Sequence, residues 1–137
     1  MRTSNTTPKP LSITLAGNIL LVLFGLLFVF HVLVIVGIVP SDIIWGGHAD
    51  DSSVSLISLE LMALMVTVLF AVIIAAKMGY IKSGRFQRAS RVGMWIIFAY
   101  LVFNSVGNFA SSNTFEMIVF GPLTIIMSLC ALRLAID

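Results

Sequence analysis

"ITLAGNILLVLFGLLFVFHVLVIVGIV", residues Ile13 to Val39, decides the class of this protein. The stretch has no charged residue and a single histidine, and it exceeds the roughly 20 residues that a helix needs to cross about 30 Å of hydrocarbon. Three further apolar segments follow, Val54 to Ala76, Val92 to Phe109 and Phe115 to Ile136. A composition of 59% apolar and 10% charged residues over 137 positions lies far from that of a water-soluble domain. Strands of a membrane barrel would alternate apolar and polar residues, whereas these segments are apolar at nearly every position, so their backbone groups must be satisfied within helices. The expectation is an all-α integral membrane protein, a four-transmembrane-helix bundle. Residues 1–12, polar and carrying Pro8 and Pro10, read as a tail, and residues 13–137 as a single transmembrane domain. The first segment is longer than a signal-peptide core and lacks a small-x-small cleavage pattern at its far end, so it is expected to be retained.

Charge orients the chain. All eight Lys and Arg residues fall in three places, Arg2 and Lys9, Lys77 to Arg91, and Arg133, which four crossings put on one side. The positive-inside rule makes that side cytoplasmic and both termini internal, in a cell membrane. The acceptor pattern Asn5-Thr6-Thr7 would then stay unglycosylated. Lys82, Arg85, Arg88 and Arg91 surround Phe86, a composition suited to anionic lipid headgroups and equally to a simple topology determinant. The net charge of +2 comes from this inner loop and gives no argument for nucleic acid.

Local punctuation places the helix ends. Pro40 is expected to stop the first helix, with Ser41 and Asp42 capping a short turn that carries Ile43, Ile44 and Trp45, and with Gly46-Gly47 reversing the chain. Gly79 suits the left-handed position after the second helix, near Lys77. Asn113-Thr114-Phe115-Glu116 has the form of a capping box opening the fourth helix, inside which Pro122 should cause a bend.

Four polar residues interrupt the apolar segments in one depth band. His31 lies eight residues before Val39, about 12 Å at 1.5 Å per residue, and Glu60 sits about 9 Å from the same end of the second segment. Asn104 and Asn108, four apart, share a face of the third segment. Counting about 100° per residue puts Glu60 in line with Ala63, Thr67, Ala71 and Ala75, a stripe of small residues suited to close helix packing and so to the bundle interior. The same count aligns Gly93, Tyr100, Asn104, Asn108 and Ser111 on one face, which is expected to be interior too. A carboxylate at this depth costs about 3 kcal/mol, which makes it a functional candidate with His31 as its named partner. Such a pair holds an ion pair or shares one proton, and the two groups titrate as a unit. Trp45, His48 and Glu116 are candidates for the mouth of a pocket lined by His31, Glu60, Asn104 and Asn108. The bland reading of the same residues is interhelical hydrogen-bond glue, worth about 0.6 kcal/mol per contact, with Trp45 an interfacial anchor and Glu116 a helix cap.

Other chemistries find little support. Haem held between helices wants paired axial ligands, but one of the two histidines is in a helix and the other in a loop. Zinc or copper would need more soft or imidazole ligands than His31, His48, Glu60 and a distant Cys130 supply, so no metal and no cofactor are expected. Cys130 alone forms no intrachain disulfide and reads as a packing residue. GxSxG, HExxH, P-loop and dinucleotide-binding patterns are missing from the sequence. In size and helix number the chain resembles the small multidrug exporters, whose membrane glutamate lies in the first helix and which insert both ways up. Here the glutamate is in the second helix and the charge bias fixes one orientation, so the likeness is confined to size and helix count.

Three functional expectations follow. The first is binding, or proton-linked movement, of a small polar or cationic molecule at Glu60. The second is an accessory or assembly subunit of a membrane complex, with Gly17 and Gly25 compatible with helix contacts to itself or another chain. The third is a membrane enzyme using His31 and Glu60 as acid and base.

Overall fold

The computed structural model describes residues 11–45, 55–82, 84 and 86–137. Four long helices make up most of it, α1 Ile13–Ile35, α2 Leu56–Lys77, α3 Phe86–Ala110 and α4 Gly121–Ala135. A 3₁₀ turn, Ser41–Ile43, follows α1, and a π-helical turn, Glu116–Phe120, leads into α4. No strand occurs among the described residues. All four helices, with the π turn counted into the fourth, are long and apolar enough to cross a membrane.

Helix starts follow the expected chemistry. Ser12 Oγ accepts from Leu15 N at 3.2 Å, and Ser55 Oγ from Ser58 N at 3.4 Å, each satisfying one of the donors that a first turn leaves open. Helix ends depart from it at α1. Gly37, at φ +76°, terminates the helix four residues before the expected Val39, with Gly37 N–H donating to Val34 O and Ile38 N–H to Leu33 O. Gly79, also at φ +76°, closes α2 in the same way, through Gly79 to Ala76 and Tyr80 to Ala75. Both are Schellman motifs, which glycine enters without the steric penalty of a Cβ; Pro40 is too far along to set the end of α1.

The third helix is longer than its apolar part. It starts at Phe86 and not Val92, so Arg88 and Arg91 belong to helix and not to the connecting loop. Hydropathy registers only the lipid-like portion of a helix, and arginine is itself a good helix former. Arg2, Lys9, Asn5-Thr6-Thr7, Gly46-Gly47, His48 and Arg85 lie outside the described residues.

The helices form a ring in which α1 and α3 each pack against both α2 and α4. One end of the ring holds Ile13, Lys77, Phe86 and Ala135 and is called here the termini end. It is closely packed. Leu20, Ile74, Met94, Ile97, Met127 and Leu134 are inaccessible, and Cys130 is buried among them. A Cβ at Gly17 would collide with Met78 Sδ, and one at Gly93 would come within 2.7 Å of Ile73 Cγ2. Tyr80 Oη donates to Asn18 Oδ1 at 2.7 Å, and Arg133 Nε to Leu11 O at 2.9 Å, tying the helix ends together. The outward faces are as apolar as the core, with Phe103 77% exposed and Met65 67%.

Candidate functional site

The opposite end of the ring, where the chain passes from α1 to α2 and from α3 to α4, gathers the polar side chains. Glu60 stands in the second turn of α2 and is fully buried. The inward line of α2 runs Glu60, Ala63, Thr67, Phe70 and Ile74; Ala63, Ala71 and Ala75 of the expected small-residue stripe are each half-buried, and of the three only Ala63 lines the cavity described below. The 3-4-3-4 spacing of that line keeps it on one face.

His31 Nδ1 lies 2.7 Å from Glu60 Oε2, so the contact named from sequence is made. The imidazole side chain retains 18% exposure against 1% for the carboxylate. Glu60 Oε1 accepts from Trp45 Nε1–H, also at 2.7 Å. Each oxygen of the Glu60 carboxyl therefore has one protein partner, from two different parts of the chain. Since α1 ends at Ile35, His31 is four residues from its helix end, as is Glu60 from Leu56, or about 6 Å for each. Both are shallower than the sequence count placed them.

Trp45 is a non-glycine residue at φ +53°. A bulky side chain in the left-handed region costs about 1–3 kcal/mol and persists where neighbours enforce it. Here the bond to Glu60 holds the indole and the adjacent Ile44, 5% exposed, is packed inward. Asn113 Nδ2 donates to Asp42 O at 2.8 Å, pinning the preceding turn to the start of the fourth helical segment. The interfacial-anchor reading of Trp45 is thus incomplete, because its N–H is committed to the buried acid.

The fourth segment opens on Asn113, whose Oδ1 accepts from Phe115 N at 2.8 Å and Glu116 N at 3.3 Å. The reciprocal half of the expected capping box passes through Ser111. Its hydroxyl donates to Glu116 Oε2 and accepts from Asn113 N at 3.0 Å. Pro122, where a bend is expected, stands at the start of α4 directly after the π turn, in which Gly121 N–H reaches Glu116 O. Proline withholds the N–H that Ile118 O would receive, and π turns of this kind recur at functional positions. Thr124 Oγ1 donates to Phe120 O at 2.7 Å and receives Asn108 Nδ2 at 3.3 Å; the same amide lies 3.3 Å from Asn104 Oδ1. These amide contacts are at the long end of the N–H···O range.

A cavity of about 190 Å³ joins these groups. His31, Trp45, Glu60, Asn104, Asn108 and Glu116 all contribute to its wall, and His48 lies outside the described residues. The rest of the wall is largely apolar and includes the rings of Phe24, Phe30, Phe70, Tyr100 and Phe120. Phe30 packs edge-on to Phe120 and Phe70 to Tyr100, with centroids 5.2 and 5.1 Å apart. Sequence reasoning passed over Thr124 and the phenylalanines. A hydroxyl two residues after a proline in an apolar helix was the available signal for the first; nothing separates wall phenylalanines from ordinary core in a sequence this apolar. No group of three or more His, Cys, Asp or Glu among the described residues is placed to hold a metal ion.

No protein-family model, curated protein or solved structure matches this chain.

Proposed function

We propose that the four helices span a cell membrane with both termini in the cytoplasm, and that the protein binds, or moves together with a proton, a small cationic or polar molecule in the cavity beside Glu60. The carrying observation is the fully buried carboxylate in the wall of a cavity of about 190 Å³. Two carboxylates, Glu60 and Glu116, and one imidazole line that cavity, with no Lys or Arg among its described lining residues. A carboxylate offers about four acceptor positions and Glu60 uses two for His31 and Trp45, so a cationic donor still finds acceptors there. Aromatic faces around the acids favour a cation further. The size suits a small organic molecule, given that an engineered apolar cavity of about 150 Å³ accepts benzene.

The apolar outward faces support the membrane reading, and the clustering of basic residues supports the orientation. Thiol labelling of Asp42→Cys and Lys82→Cys in intact cells tests the orientation, with only the first expected to react with an impermeant reagent. For the site, propylammonium binding to the purified full chain is the measurement. Glu60→Gln is expected to weaken it about tenfold or more, the loss of one charge-assisted contact. Wild-type affinity and pH dependence in that variant would remove the proposal.

A further inference from the structure

The seam between α2 and α3 is closed at one end and open at the other. On α3, Gly93, Tyr100 and Gly107 are seven residues apart, so successive members drift by only about 20° and share one face. At Gly93 a Cβ would meet Ile73 Cγ2 of α2 at 2.7 Å, whereas at Gly107 it would meet nothing within 4 Å. Between them stands Tyr100, 44% exposed, its ring against Phe70 of α2 while it also lines the cavity. On α2, Val66 lies seven residues from Ile73, on the same face, and lines the cavity too. Asn104, one turn beyond Tyr100, is half-buried and part of the same wall. The cavity wall thus shares Tyr100 with the exposed surface of the bundle beside α2.

The geometry points to a ligand that is itself amphipathic: a single-chain amphiphile with a primary ammonium head, which sits among Glu60, Glu116 and Asn104 while its chain runs out between α2 and α3 over Gly107. This rests on the reading of Glu60 as a cation site and adds the route and the substrate class. A primary ammonium carries three donors and no acceptor, matching a wall that offers two carboxylates, the Asn104 Oδ1 and the Thr124 hydroxyl. The chain needs an apolar exit, and the open half of the seam is flanked by Met62 and Phe103, both exposed.

The test uses the full chain in lipid nanodiscs with Trp95→Phe as background, so that Trp45, which touches Glu60, reports occupancy by its fluorescence. Propylammonium and dodecylammonium are titrated into this protein and into the same protein carrying Gly107→Phe. Because the comparison is between variants, partitioning of the long chain into lipid cancels. The new ring fills open space at a helical position, so folding is expected to be retained. The expected result is dodecylammonium binding weakened roughly tenfold because the ring occupies the path of the chain, with propylammonium affinity unchanged. Equal effects on both probes, or no effect on either, overturn the lateral route and leave the Glu60 reading standing. A change of oligomeric state in Gly107→Phe with both affinities kept shows that the seam is a contact between copies, and also overturns it. Binding of neither probe to the parent removes the site reading and this inference with it.

Discussion

The two ends of this bundle are built from the same four helices and obey different packing rules. At the termini end, small residues admit neighbouring side chains, Gly17 taking Met78 and Gly93 taking Ile73, and the interior is filled by aliphatic, Met and Cys side chains. At the site end, aromatic rings meet edge-on around about 190 Å³ of space, and the interior is held by hydrogen bonds at Glu60, Asn108 and Glu116. Lipid offers apolar side chains nearly what a core does, so close fit and interhelical hydrogen bonds hold helices together in it, and a cavity forfeits the first. The contrast implies that one half carries the stability and the other tolerates rearrangement.

The sharpest challenge to that division is a truncation in the closed half. Ile97→Ala, at a position with no exposure, should cost about 2–5 kcal/mol in a denaturant titration from detergent micelles. A cost equal to that of Phe30→Ala beside the cavity would erase the distinction. Next in size is Gly93→Leu, which drives a side chain into Ile73 and should destabilise by about 1–3 kcal/mol, read as a lowered midpoint of thermal unfolding. Trp45→Phe removes one hydrogen bond to Glu60 and should lower stability by about 0.5–1.5 kcal/mol, or more if burial leaves that oxygen unpaired. Its fuller signature is faster amide exchange in the Ser41–Ile43 turn with α3 and α4 unchanged. Smallest is Gly107→Ala, expected to stabilise by about 0.5–1 kcal/mol, since a methyl group there meets open space and glycine is the poorer helix former. A loss in place of that gain would mean that the seam is closed.

What could be read from the residues alone was whatever periodicity and chemistry express locally. Four helices follow from unbroken apolar runs, and the inward direction of Glu60 from its spacing to Ala63 and Thr67. The pairing with His31 followed because a carboxylate at that level leaves few candidate partners. Helix limits were less legible. Gly37 decided the end of α1 by a backbone conformation whose competitor, Pro40, is the more conspicuous breaker, and α3 runs back through arginines that hydropathy scores as loop. The bond from Trp45 was legible only as a residue near a mouth, since it depends on a left-handed backbone that nothing in an Ile-Ile-Trp-Gly string announces. The open half of the seam was illegible for a different reason: Gly93 and Gly107 look alike in sequence, and only their neighbours distinguish a tight glycine from an empty one.

One side chain of α2 fastens the chain where it leaves the first helix, for the carboxyl of residue 60 grips an imidazole near the end of α1 and an indole just past the 3₁₀ turn. A guest that draws that carboxyl towards itself loosens the clasp, and Trp45 is then at liberty to relax into an ordinary backbone shape. Occupancy deep among the helices would so be signalled at the rim, by a tryptophan turning away from the acid that had been restraining it.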